Sequence, residues 1–221
     1  MTLKQTLCAL LASGILASSG AVAKAGDNPC ENISKTAQCN VERFGHYQSL
    51  VKKRVDTSWT MGRDLIVVDK SAGEMDLYLR GDKVATYKIS TGRSGIGDRE
   101  NDDDNHTPEG MYRLENIFDY GALCNIEPCQ SLVIDFPNYE DVKRVKKAKD
   151  NKNNKSYRGR NTFREKIMIE GTNSEMPRPT KGHIQMTNKD LTDLLEKVKF
   201  DKEKSVGVLI VPYGARESYQ R

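Results

Sequence analysis

The sequence predicts a mainly β domain, a curved, sandwich-like sheet with one helix in its C-terminal half, behind a short helical extension. Three patterns carry this prediction. Apolar runs from Leu65 onward are short and separated by turn residues, which is strand spacing. Several of them alternate with period two. Only the segment around Leu191, Leu194, Leu195 and Val198 places its apolar residues on a strong helical stripe within the domain.

Residues 26–60 form the extension. Within it, Val41 to Val55 has helical character, with Phe44, Tyr47, Leu50 and Val51 on one face. The domain spans residues 61–215, and residues 216–221 are a tail. Leu65 to Val68 is a continuous apolar run, as expected of a buried strand. Met75, Leu77 and Leu79 alternate with Asp76, Tyr78 and Arg80. Gly81-Asp82 marks a turn, after which Ala85, Tyr87 and Ile89 alternate with Thr86 and Lys88 as a second hairpin arm. Further strands are expected at Gly110–Ile117, Ser131–Phe136, Lys166–Glu170 and Val206–Val211. Thr187 is the expected N-cap of the helix, with Asp190 three residues on.

A length of 221 residues suits one domain with an extension. Hydrophobic residues make up 37%, enough for one modest core, and the net charge of +4 is too small to argue for a nucleic-acid partner. The chain opens with Lys4, a short apolar run from Leu7 to Ala17, and small residues at Ala21-Val22-Ala23 and Ala23-Lys24-Ala25. That is the pattern of a secretory signal peptide over residues 1–25. The run is too short to span a bilayer well, so no integral membrane segment is expected after cleavage. Cleavage takes Lys4 and Lys24 and no acid, lowering the charge from +4 to +2. The expected location is periplasmic or secreted.

Export bears on the cysteines. Cys30, Cys39, Cys124 and Cys129 form an even set, which in an oxidising compartment favours two disulfides. The close spacings suggest Cys30–Cys39 and Cys124–Cys129, among the three connectivities open to four cysteines. Zinc-type spacing is absent, and neither a metal nor a cofactor is expected. Two segments are strongly biased. Asp98 to Asn105 is acidic, lacks the ligand order of a calcium loop, and reads as solvated. Residues 143–166 carry eleven Lys or Arg and only two acids, and read as a solvated basic insertion able to meet an anionic surface.

Five elements follow one another along the domain: the opening hairpin, Thr107-Pro108-Glu109-Gly110, Phe136-Pro137-Asn138-Tyr139-Glu140-Asp141, Ile169-Glu170-Gly171-Thr172-Asn173, and Thr180-Lys181-Gly182-His183-Ile184-Gln185-Met186. In this order they resemble the L,D-transpeptidase (YkuD-type) catalytic-domain family. The resemblance implies a cell-wall enzyme in which a Cys thiolate attacks a peptidoglycan stem peptide and a His moves the proton. It also implies three departures. His183 stands at the Cys position, Glu170 at the His position, and Gln185 at a neighbouring Arg position. Without a thiol or hydroxyl at position 183, no acyl-enzyme forms there.

Three functions remain open. One is a cell-wall pseudoenzyme that binds stem peptides or an envelope protein, with Gly171, Asn173, Thr180, Gly182 and Gln185 shaping the site. The second is an envelope transferase or hydrolase using a Glu170–His183 pair in mutual contact, His106 being a conceivable third ligand if a metal were involved. The third is a secreted interaction protein using the basic 143–166 segment.

Overall fold

The computed structural model describes residues 29–121, 127–150, 163–198, 200 and 205–213, without the side chains of 29–44 and 148–150. The chain divides into two compact units, residues 1–42 and 43–221. Helix α1, Pro29–Met61, begins in the first and ends in the second. All later elements belong to the second unit.

Eight strands form one sheet: β1 (Leu65–Asp69), β2 (Glu74–Leu79), β3 (Asp82–Lys88), β4 (Gly110–Asp119), β5 (Gln130–Ile134), β6 (Met168–Thr172), β7 (Ile184–Thr187) and β8 (Gly207–Val211). Their order is β3-β2-β1-β8-β4-β5-β6-β7. Most neighbours are antiparallel, but β1 runs parallel to β8, and β6 to β7. The sheet curls until its two edges nearly meet. Ser90, just past β3, exchanges two 2.8 Å backbone hydrogen bonds with Gln185 in β7. Gly92 forms a parallel bridge to Thr180, whose carbonyl accepts the Arg93 N–H at 2.9 Å and whose N–H donates to the Thr91 carbonyl at 3.0 Å. The expected curved sandwich is therefore a nearly closed, barrel-like sheet.

The continuous apolar runs are explained by burial on both faces. Ile66, Val68, Val208 and Ile210 point into the main core, with Leu132, Ile134, Ile169 and Ile184. Leu65, Val67, Leu209 and Val211 point outward and are covered by Val51 and Val55 of α1. Tyr47 and Leu50 pack against this second core, as the helical face predicts; the side chain of Phe44 lies outside the described residues. Helix α3, Asn188–Val198, buries Leu191, Leu194 and Val198. Its expected cap is present: Thr187 Oγ1 accepts the Asp190 N–H at 3.1 Å.

One expectation needs correction and one strand is added. The domain holds a second helix, α2 (Tyr139–Asp150), so the basic segment begins as a helix rather than a loop. Asn138 Oδ1 accepts the N–H groups of Glu140 and Asp141, while Asp141 Oδ2 accepts the Asn138 N–H at 3.0 Å. This reciprocal capping box starts the helix. Residues 151–162 lie outside the described set, as do Cys124 and the side chains of Cys30 and Cys39, so the cysteine pairings do too. The addition to the expected strands is β7, four residues with Ile184 and Met186 inward, which is too short to announce itself by periodicity.

Candidate functional site

The site is built by the parallel pairing of β6 and β7. Ile169 lies opposite Ile184, and Glu170 opposite Gln185. Because strand side chains alternate, Ile169, Ile184 and Met186 enter the core. Met168, Glu170, His183 and Gln185 take the other face. There they line an open cleft of about 510 Å³, together with Glu165, Lys166, Pro179, Thr180 and Lys181.

The loop that delivers His183 is held from several directions. Thr180 Oγ1 donates to the His183 carbonyl at 2.6 Å and accepts the Gly182 N–H at 3.0 Å. Thr107 Oγ1 donates to the Gly182 carbonyl at 2.9 Å. Gly182 has φ 126°, and a Cβ there would stand 2.2 Å from Arg99 Nη1 and 2.9 Å from the His106 carbonyl oxygen. Only glycine fits.

Glu170 and His183 share the cleft but do not form the expected direct contact. His183 Nδ1 accepts the Met168 N–H at 3.2 Å. The Glu170 carboxylate accepts from Gln185 Nε2 at 3.4 Å. Among the described residues no ion pair joins the two. The ladder places them diagonally rather than opposite, and each is engaged by a neighbour across the pairing.

Of the other expected site residues, Thr180 and Gln185 line the cleft. Gly171 lets α3 approach: a Cβ there would be 2.2 Å from Asn188 Oδ1. Asn173 is not among the cleft-lining residues and accepts from Asn188 Nδ2 at 2.5 Å, steadying the start of α3. His106 is not among the cleft-lining residues, and among the described residues no three His, Cys, Asp or Glu side chains are placed to hold a metal ion.

Residues 63–211 match the sequence model of the YkuD family, the L,D-transpeptidase catalytic domain. The chain belongs to this family. Comparison with curated protein sequences finds no match. Among solved structures, Bd1075 of Bdellovibrio bacteriovorus is similar at 21% identity and TM-score 0.48, over 69% of this chain and 49% of that one. The helical cell shape determining protein Pgp2 of Campylobacter jejuni is similar at 21% identity and TM-score 0.47, over 67% and 47%. An L,D-transpeptidase of Xylanimonas cellulosilytica is similar at 13% identity and TM-score 0.40, over 68% and 61%. The chain thus spans about half the length of the first two.

Sequence reasoning missed what supports the site of this L,D-transpeptidase-family domain. The acidic segment is not merely solvated; it folds around buried cations. Arg99 has no exposed side-chain surface. Its Nη1 donates to the carbonyls of Lys181 at 2.8 Å and His106 at 3.0 Å, tying the acidic loop to the His183 loop. Lys70, also fully buried, donates from Nζ to the carbonyls of Gly97 and Thr107 and to Glu109 Oε1. Asp104 accepts the N–H groups of Glu100, Asn101 and His106. Arg144 of α2 pairs with Asp98 at 2.6 Å and Asp141 at 3.0 Å, so this member of the basic segment is spent internally.

Burial pushes the Asp98 carboxyl up to about 6, against the opposing pull of the Glu109 N–H and Arg144. A folded pKa above the unfolded value of about 3.9 means that the native state binds this proton more tightly. The stability it contributes is fully present below about pH 4 and is lost as pH rises through 6. A carboxyl NMR titration of Asp98 should give a midpoint near 6. A midpoint below 4 would mean that Arg144 and the N–H donors outweigh burial.

Proposed function

We propose that this L,D-transpeptidase-family member is a cell-wall-associated, exported envelope pseudoenzyme whose cleft binds peptidoglycan stem peptides without acyl transfer. In the same reading Cys30–Cys39 and Cys124–Cys129 are disulfides.

The observation that carries the reading is the state of His183. It occupies the position where the family motif has its nucleophile. Its Nδ1 is already an acceptor for the Met168 N–H. A neutral imidazole that accepts at Nδ1 carries its proton on Nε2. The remaining nitrogen is then a donor, suited to holding a carbonyl or carboxylate and unsuited to taking a proton from water. With Glu170 turned to Gln185, no second group among the described residues orients the ring as a base.

Purified protein incubated with tetrapeptide muropeptides should bind them saturably and yield no new product by mass spectrometry. Absence of binding to muropeptides and sacculi would reject the reading. Product formation abolished by both Glu170→Ala and His183→Ala would replace it with a hydrolase or transferase built on that pair.

The local electrostatics make a separate prediction. A His183→Cys thiol would share its cleft face with the Glu170 carboxylate. Its pKa should lie above the free-thiol value of about 8.5, and adding Glu170→His should lower it by about one unit or more. Iodoacetamide labelling rates against pH, read at the position 183 peptide, check this. A midpoint that is the same with and without Glu170→His would show that Glu170 has no influence on the site.

A further inference from the structure

We infer that Glu170 makes the cleft a cation-recognising one, holding a primary ammonium of the bound peptide while His183 Nε2–H holds a neighbouring carbonyl or carboxylate. This rests on the peptide-binding reading above and names the ligand chemistry of the same site.

The charges that line the cleft are not equivalent. Lys166 is engaged by Glu115 at 2.8 Å, Glu165 leans on the buried Arg99 at 3.6 Å, and Lys181 lines the cleft from an exposed position without pairing with Glu170 among the described residues. Glu170 has no ion-pair partner among the described residues. The residue is half-buried, and the one hydrogen bond its carboxylate makes among the described residues, from the neutral Gln185 amide, is long at 3.4 Å. An ionised carboxylate accepts about four hydrogen bonds, so most of its capacity is unspent. Partial burial without a counter-charge is unfavourable, and a ligand cation would relieve it.

The carboxylate is also held in place. Gln185 Oε1 accepts the Arg178 N–H at 2.8 Å, which turns the amide nitrogen toward Glu170. With one carboxylate oxygen taken by Gln185, a single-point donor suits the other better than the two-pronged fork of a guanidinium. That favours an ammonium. The donor at His183 lies diagonally across the β6–β7 ladder on the same face, so an amine and a nearby carbonyl meet opposite partners. The family motif has His where this chain has Glu170, so the cation site belongs to this chain and not to the motif.

Two synthetic stem tetrapeptides, identical except that the side-chain amine is free in one and acetylated in the other, test this by calorimetric titration of the full chain. The wild type should bind the free-amine peptide about tenfold more tightly. Glu170→Gln, nearly isosteric, should bind both peptides alike, at the wild-type affinity for the acetylated one. Equal binding of the two by the wild type overturns the inference and leaves the peptide-binding reading standing. A preference that survives in Glu170→Gln also overturns it. Binding of neither peptide rejects the peptide-binding reading and the cation site together.

Discussion

Replacing Arg99 with leucine is expected to lower stability by about 3–5 kcal/mol and to loosen the loop that carries His183. The guanidinium is fully buried. Nη1 serves two main-chain carbonyls, those of Lys181 and His106, and both part-buried bonds are lost with the donor. Nη2 reaches the Asp102 carbonyl at 3.3 Å and its carboxylate at 3.4 Å, and Glu165 lies at 3.6 Å. Removing the cation therefore also leaves acids uncompensated. Leucine keeps much of the apolar stem volume, and the Phe136 ring 6.0 Å from the guanidinium carbon remains as a packing surface. The loss is thus electrostatic and hydrogen-bonding rather than a cavity effect. Arg99→Lys keeps the charge but not the fork, and should recover only part of it. Urea unfolding gives the magnitude. Amide exchange at Gly182 and His183 gives the local effect and should accelerate more than exchange in β1. A loss below 1 kcal/mol would mean that Arg99 is a passenger.

How much of this was readable beforehand depends on the range of the interaction. Leu65–Val68 and Val208–Val211 were legible because strands buried on both faces are apolar at every position. The β2–β3 hairpin was legible from Gly81, and α3 from Thr187, because turn and cap chemistry is local. Helix α2 was hidden by its lysines. Val142 is exposed and Val145 buried, so little apolar stripe remains, and the usable signal was the Asn138-x-x-Asp141 cap. The order of motifs named Glu170, Thr180, His183 and Gln185, and all four line one cleft. It could not supply register, and register decides that Glu170 faces Gln185 instead of His183. The buried cations are the furthest from legible. Lys70 lies in the turn after β1, and its acceptors are more than 25 positions on, so no local pattern links them.

Lys70 gives the second large effect. Methionine matches its length and removes its charge, so Lys70→Met is expected to cost about 3–5 kcal/mol. The ammonium donates to Gly97 O, Thr107 O and Glu109 Oε1, and the substitution takes this donor from all three. Glu109 is nearly buried and would keep only the Gly97 N–H, at 3.0 Å. The lysine itself is held at a cost, since burial lowers its pKa while Glu109 opposes the shift. That cost sets the expected coupling. Glu109→Gln alone should also destabilise, because it strands the buried ammonium. The double variant Lys70→Met with Glu109→Gln should be more stable than the sum of the two single losses predicts, by about 1–3 kcal/mol. The two carbonyls remain without their donor in the double variant, so recovery should stop short of wild type. Strict additivity in a urea double-mutant cycle would mean that the Lys70–Glu109 pair contributes nothing, and that the carbonyl bonds alone hold the loop. Because Thr107 donates to the Gly182 carbonyl, the same variants should weaken peptide binding through the His183 loop even where the fold survives.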